Sequence, residues 1–284
     1  MKITGETKLY GLIGYPVKHS LSPVMQNAAF EACGLNSVYI PLRVPPSSLK
    51  DAVDGLRAID IGGFNVTIPH KVSVIRCLDG LDPSAAMLGA VNTVVNRNGK
   101  LIGYNTDGAG ALEALRKANV NVEGLNVVIL GAGGAARAIA YSLAPKVERI
   151  ILLNRTGSKA SKLAREIERT LEVEVKGLRL TEENLIENIS SADLLVNATS
   201  VGMYPKVGES LVDRNFLRSD MVVFDVVYNP AETQLIHDSK AIGAKTVSGL
   251  AMLVYQGALA FELWTKKKAP IEAMFKAVET QSRL

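Results

Sequence analysis

Val127-Val128-Ile129-Leu130-Gly131-Ala132-Gly133-Gly134-Ala135-Ala136 decides the fold of this 284-residue chain. Four apolar residues, three of them β-branched, predict a strand buried on both faces, the kind found in parallel sheets. The glycines follow at once in the pattern G-x-G-x-x-A, with Gly131, Gly133 and Ala136 at the marked positions. An alanine-rich segment, Ala135–Leu143, predicts the helix that the turn opens into. Between strand and helix, glycine lets the backbone turn tightly and approach a pyrophosphate resting on the helix N-terminus. A plain tight turn has no need of this context, so Gly131, Ala132, Gly133, Gly134 and Ala135 are read as a dinucleotide-binding turn.

Downstream, the second strand selects the dinucleotide. An NAD site usually carries Asp or Glu there to bond the ribose 2′-hydroxyl. Here Arg149–Leu153 is followed by Asn154-Arg155-Thr156, with no acid. Arg155 offers a planar fork to a 2′-phosphate, and Lys159 adds charge one turn on. The expected cofactor is NADP(H). The pattern then continues as helix Ser158–Leu171, strand Val173–Val175, helix Glu182–Ile189 and strands Leu194–Val196 and Met221–Val227. Such alternation predicts an α/β fold with a Rossmann-type, doubly wound parallel sheet.

Upstream, strands Tyr10–Ile13, Val38–Val44 and Phe64–Thr67 alternate with helices opening at Ser22-Pro23 and spanning Ser47–Ile59. Ser22 is read as the N-cap and Pro23 as the first helical residue. Val91–Asn96 and Leu101–Asn105 flank Asn98-Gly99, the favoured type I′ hairpin pair. A second, mixed sheet is therefore expected. The last helical segments, Leu250–Trp264 and Ile271–Val278, have no strand of their own. The predicted organisation is a discontinuous α/β substrate-binding domain, 1–108, on which helices of 250–284 pack back, and an NADP-binding domain, 109–249.

Composition narrows the function classes. A hydrophobic fraction of 48% and a charged fraction of 21% suit a globular core. The net charge is only +4. Its one dense basic run, Lys266-Lys267-Lys268, follows a helical segment, where cations suit a C-terminus. No nucleic-acid partner is expected. Cys33 and Cys77 are too far apart for a CxxC motif, and His19, His70 and His237 form no ligand spacing, so no metal is expected. The longest uncharged stretch, Thr246–Phe261, is too short and too polar to span a bilayer. The start lacks a signal-peptide pattern. The final Ser282-Arg283-Leu284 is similar to a peroxisomal address but too short to outweigh a cytoplasmic expectation.

Polar groups in the first domain suggest the substrate. Ser20 and Ser22 place two hydroxyls at a strand-to-helix turn, suited to an anion such as a carboxylate. Asn65, Thr67 and Lys71 lie at a strand's carboxyl end, where open α/β sheets bind ligands. Ala90-Val91-Asn92-Thr93 and Asn105-Thr106-Asp107-Gly108 follow. With the glycine turn, Asn154-Arg155-Thr156, Asn197-Ala198-Thr199-Ser200-Val201-Gly202-Met203, Asp225-Val226-Val227-Tyr228-Asn229-Pro230 and Met252-Leu253-Val254-Tyr255-Gln256, these motifs resemble the shikimate/quinate dehydrogenase family over essentially the whole chain.

The resemblance implies an oxidoreductase that reduces 3-dehydroshikimate to shikimate with NADPH, in chorismate and aromatic amino-acid biosynthesis. It implies that Ser20, Ser22 and Tyr228 hold the carboxylate, and that Thr67, Asn92, Asp107 and Gln256, with Asn65 near them, meet the ring hydroxyls. Lys71 becomes the catalytic lysine, paired with Asp107. Asn154, Arg155, Thr156 and Lys159 take the adenosine phosphate; Val226, Gly249 and Met252 flank the nicotinamide. A cationic lysine can stabilise a developing alkoxide and donate its proton. His70, one residue from Lys71, is read as structural because adjacent side chains diverge. The alternatives are a quinate or dual-specificity dehydrogenase, a folate-type dehydrogenase, which leaves the Ser20/Ser22 pair unexplained, and a non-catalytic NADP(H)-sensing protein, against which Lys71 and Asp107 both argue. A monomer or homodimer is expected, with a small molecule as partner.

Overall fold

The computed structural model describes residues 3–171 and 173–282. Arg283 and Leu284, in the final tripeptide discussed above, lie outside them. The chain divides into two compact units: Met1–Asp107 with Val254–Leu284, and Gly108–Leu253.

In chain order the first unit begins with β1 (Lys8–Gly14), α1 (Ser22–Ala32), β2 (Ser37–Arg43), α2 (Leu49–Ala58), β3 (Gly63–Val66), β4 (Gly80–Leu81), α3 (Pro83–Leu88), β5 (Thr93–Arg97) and β6 (Lys100–Tyr104). Its sheet is mixed, in the order β2-β1-β3-β5-β6-β4. β1 runs parallel to β2 and β3, while β5 runs antiparallel to β3 and β6. The β5–β6 turn has Asn98 and Gly99 at φ 54° and 84°, the two positive angles that a type I′ turn requires. Ile13, Val53, Ile61, Phe64, Val74, Val94 and Leu101 form the buried core.

The second unit takes α4 (Asp107–Lys117), whose first residue belongs to the first unit, and then β7 (Asn126–Leu130), α5 (Gly134–Leu143), β8 (Arg149–Asn154), α6 (Gly157–Leu171), β9 (Val175–Arg179), α7 (Glu182–Ile189), β10 (Leu194–Asn197), β11 (Val222–Asp225), α8 (Gln234–Ala241) and β12 (Lys245–Ser248). All strands are parallel, in the order β12-β11-β10-β7-β8-β9. This is the strand order of a doubly wound dinucleotide-binding sheet, with its switch point between β7 and β10. Ile129, Leu130, Leu152, Leu153, Leu195 and Val196 are buried on its central strands, as both-face coverage demands.

Two local expectations are corrected, and one strand with its helix appears that the sequence reading did not include. The third strand of this sheet is Val175–Arg179 rather than Val173–Val175, and β12 with its preceding α8 had no strong pattern. Both strands are sheet edges, half-exposed and interrupted by lysine or arginine, which blunts the apolar signal. The N-cap of α1 is Leu21 and makes no side-chain capping bond; Ser22 is already helical, and its N–H donates to Ser20 Oγ at 3.2 Å.

The chain ends in α9 (Gly249–Thr265) and α10 (Ile271–Ser282). The part of α9 in the first unit buries Phe261 and Trp264 against β1 and α1: ring centroids are 5.3 Å apart for Tyr10–Trp264 and 5.6 Å for Phe30–Phe261. Trp264 Nε1 donates to the Val94 carbonyl at 2.9 Å, which satisfies the one polar atom of this ring. Trp264→Ala should therefore lower the unfolding free energy by about 3–5 kcal/mol, from the lost ring and the void it leaves. Trp264→Phe should cost about 1–3 kcal/mol, chiefly from the unpaired carbonyl. Urea denaturation followed by circular dichroism checks both.

Candidate active site

In the first unit the polar side chains gather where β1 and β3 end. Thr67 follows β3 directly, its N–H donating to the Ile13 carbonyl at 2.9 Å. The chain then turns through Ile68 and Pro69 to Lys71, whose carbonyl accepts from Val91 N–H at 2.7 Å. Lys71 Nζ lies 2.5 Å from Asp107 Oδ2, with 21% and 8% of the two side chains exposed. A residue pair 36 positions apart in sequence is thus one half-buried ion pair. Asp107 opens α4, where a carboxylate also faces the positive end of the helix.

Asn92 holds this pair in place. Its Nδ2 donates to Asp107 Oδ1 at 2.8 Å and lies 2.9 Å from Thr106 Oγ1 and 3.2 Å from Gln256 Oε1. Its Oδ1 accepts from Thr106 N–H at 2.8 Å. Behind it, Asn65 Nδ2 donates to the Asn92 carbonyl and to Thr93 Oγ1, at 3.1 and 3.0 Å, and Asn65 Oδ1 accepts from the Tyr39 hydroxyl at 2.8 Å. Burial pushes the Tyr39 phenol well up, while a hydrogen bond from the Ser22 side chain pulls the other way. A continuous polar chain therefore runs from Tyr39 through Asn65, Asn92 and Asp107 to Lys71. Asn65, with its amide engaged on both sides, supports this chain from behind. Ser20 and Thr67 are half-buried, and Ser22 is buried.

Tyr39, Thr93 and Thr106 join the cluster without having been singled out from sequence. Thr93 and Thr106 stood inside the quoted motifs, next to Asn92 and Asp107. Tyr39 carried only the general signal that a buried phenol needs a partner. His70 is fully buried, with Nε2 2.7 Å from the Val44 carbonyl, in keeping with a structural role.

In the second unit Gly131 adopts φ +116°, and a Cβ there would stand 2.9 Å from the Ala198 carbonyl oxygen, so only glycine fits. Its N–H donates to Leu153 O at 2.7 Å, tying the turn to the end of β8. Gly133 is the N-cap of α5 and, with Gly134, is exposed, leaving the helix's first N–H groups open between Ala132 and Ala135. Asn154 Nδ2 donates to the Thr156 carbonyl at 3.0 Å and so shapes the turn after β8. Arg155, Thr156 and Lys159 are exposed, and among the described residues neither cation has an ion-pair partner. An open helix N-terminus beside two free cations suits an anion with several phosphates.

At the ends of β10 and β11 a buried carboxylate organises two loops. Asp225 Oδ1 accepts from Asn197 Nδ2 at 2.9 Å and Val227 N–H at 3.0 Å, and Oδ2 from Thr233 Oγ1 at 2.6 Å. Burial still holds its carboxyl above the usual carboxylate range, against the pull of these three donors. Val226 follows immediately, with N–H donating to the Asn197 carbonyl at 3.0 Å. A Cβ on Gly249 would lie 2.3 Å from the Val226 carbonyl oxygen, so these two residues adjoin, with Met252 one turn along α9. Tyr228 is half-buried in the same segment, and burial pushes its phenol up. Tyr228 thus falls in the second unit, Ser20 and Ser22 in the first. Among the described residues no group of three His, Cys, Asp or Glu is arranged for a metal ion, and no helix is long and apolar enough to cross a membrane.

Three family models match the chain: the shikimate dehydrogenase substrate-binding domain over residues 12–94, shikimate/quinate 5-dehydrogenase over 113–237, and the shikimate 5′-dehydrogenase C-terminal domain over 249–279. The shikimate dehydrogenase (NADP(+)) of Methanocaldococcus jannaschii is 49% identical over 277 residues, 97% of this chain and 98% of that protein. A shikimate dehydrogenase solved in complex with NADP+ is 47% identical with a TM-score of 0.93, covering 99% of this chain and 97% of its own. The Listeria monocytogenes shikimate 5-dehydrogenase, solved with shikimate and NAD, is 40% identical with a TM-score of 0.91, over 97% and 98% of the two chains. With likeness of sequence and fold extending across both units, the chain belongs to the shikimate dehydrogenase family.

Proposed function

We propose that this enzyme catalyses the reversible, NADPH-dependent reduction of 3-dehydroshikimate to shikimate, in the biosynthetic direction toward chorismate and the aromatic amino acids. The observation that carries the reading is the Lys71–Asp107 pair at 2.5 Å, fixed by Asn92, which also lies beside the Gln256 amide. Such a cluster can meet a ring of hydroxyl groups and keep one proton-carrying cation aimed among them. Ser20 and Ser22, at the head of α1, hold the substrate carboxylate.

The second unit holds NADP(H). The glycine turn and the start of α5 receive the pyrophosphate; Asn154, Arg155, Thr156 and Lys159 receive the 2′-phosphoadenosine end; Val226, Gly249 and Met252 line the nicotinamide. The exposed cations, which have no ion-pair partner among the described residues, and the Cβ-free turn are what fit this group. When bound, the nicotinamide supplies the hydride. The chain's own part is the proton: the Lys71 ammonium donates it to the substrate oxygen as negative charge develops there, and recovers it in the reverse direction. Asp107 orients the ammonium and accepts from a neighbouring substrate hydroxyl.

Incubating the purified protein with 3-dehydroshikimate or 3-dehydroquinate and either NADPH or NADH, while following nicotinamide absorbance, tests this directly. Turnover should be fastest with 3-dehydroshikimate and NADPH; absence of turnover with every pair would overturn the reading, and a preference for 3-dehydroquinate would make the enzyme a quinate dehydrogenase. Lys71→Ala should lower kcat by about 10²–10⁴-fold, the span of a lost general acid, with a smaller change in KM. Arg155→Ala should raise KM for NADPH by about tenfold and leave that for NADH within about twofold, since only the 2′-phosphate loses a charge-assisted bond.

A further inference from the structure

The register of the second sheet pairs Asn154, the last residue of β8, with Arg179, the last residue of β9. Leu180 N–H donates to the Asn154 carbonyl at 3.0 Å, so the two strand ends remain joined one residue beyond the ladder. Arg179 thus emerges beside the Asn154-Arg155-Thr156 turn. Its backbone is held from the other side as well, the carbonyl accepting from Asn184 Nδ2 at 2.8 Å.

The approach of α6 to β9 makes this placement rigid. A Cβ on Gly177 would stand 2.3 Å from the Ala160 carbonyl, so strand and helix meet backbone to backbone. One turn earlier, a Cβ on Gly157 would stand 3.0 Å from Arg179 Cβ and 3.2 Å from its Cα. Ser161 Oγ closes the junction by donating to the Gly177 carbonyl at 2.8 Å. The base of the Arg179 side chain is therefore in contact with the first residue of the helix that carries Lys159, two residues from Arg155. Arg179 is exposed, and among the described residues it has no ion-pair partner. Three exposed cationic residues, without ion-pair partners among the described residues, thus flank one strand-end turn, an arrangement that suits a dianion.

Resting on the reading of this turn as a 2′-phosphate site, we infer that Arg179 is a third cationic contact for the 2′-phosphate and so a determinant of NADP(H) over NAD(H). Its planar fork gives it the bidentate geometry for phosphate, and its rigid base limits the rotamer freedom that is lost on binding.

Titration of the full-length protein with 2′,5′-ADP and with 5′-AMP, by calorimetry, isolates the phosphate. Arg179→Gln should weaken 2′,5′-ADP binding about fivefold, the range expected for a solvent-exposed pair, and leave 5′-AMP within twofold. Arg179→Lys should recover part of the loss. The thermal midpoint should not move, since among the described residues the side chain has no ion-pair partner. An equal loss for both probes would assign Arg179 to the adenine instead and overturn the inference; so would unchanged 2′,5′-ADP affinity in Arg179→Gln while Arg155→Ala loses it. If Arg155→Ala also keeps full affinity for 2′,5′-ADP, the phosphate-site reading itself falls, and this inference with it.

Discussion

A carboxylate removed from water must be given both a counter-charge and hydrogen-bond donors, and Asp107 imposes that demand on the whole first unit. One oxygen meets Lys71 and the other meets Asn92. Asn92 can serve only if its own amide is oriented, which Thr106 does through its backbone N–H. Asn65 then fixes the Asn92 backbone, and Tyr39 fixes Asn65. Each partner is itself buried or half-buried, so each must be satisfied in turn. The mixed sheet supplies the geometry: β3 and β5 run antiparallel as neighbours, which brings Asn65 opposite Thr93 and beside Asn92. A lysine poised next to an acid is thus the visible end of a polar chain reaching back into the core.

The second unit solves a different problem with the same economy of parts. Its parallel strands leave their carboxyl ends in one row, where loops must turn away while their backbone groups remain paired. Asp225 anchors one pair of loops with three donors, and Gly131 anchors the other by bonding the end of β8. The open start of α5 follows the Gly131 anchor, and the exposed Arg155 and Lys159, without ion-pair partners among the described residues, follow the end of β8. The lysine–carboxylate cluster lies in the first unit, and the open helix N-terminus with its neighbouring exposed cations in the second.

Much of this was legible in the sequence, for reasons that differ from place to place. The glycine turn was readable because strand, turn and helix are contiguous, and the absence of an acid after β8 is a local fact. The mixed sheet followed from one hairpin pair, Asn98-Gly99. The Lys71–Asp107 pair was expected only through family resemblance, since nothing local ties positions 36 apart. Tyr39 and Thr106 escaped notice because their roles exist only once β2 and the start of α4 are folded beside Asn92. Arg179 escaped because the strand that carries it was placed too early, at 173–175; its pairing with Asn154 is a property of register, which single-strand patterns do not encode. The edge strands β9 and β12 carry lysine and arginine against water, and that protection is what hid them.

The backbone contact between Gly177 and Ala160 has a consequence for how this protein can change over time. Helix and strand there are separated by nothing that a substitution can shorten, so the spacing of the turn after β8 is fixed by main chain alone. Coenzyme preference can then drift by exchange of exposed side-chain ends, each nearly neutral to stability, while the scaffold stays constant. Insertion of even one residue between Gly157 and Ser161 would instead shift the whole first turn of α6 off its seat, which makes this turn tolerant of new chemistry and intolerant of new length.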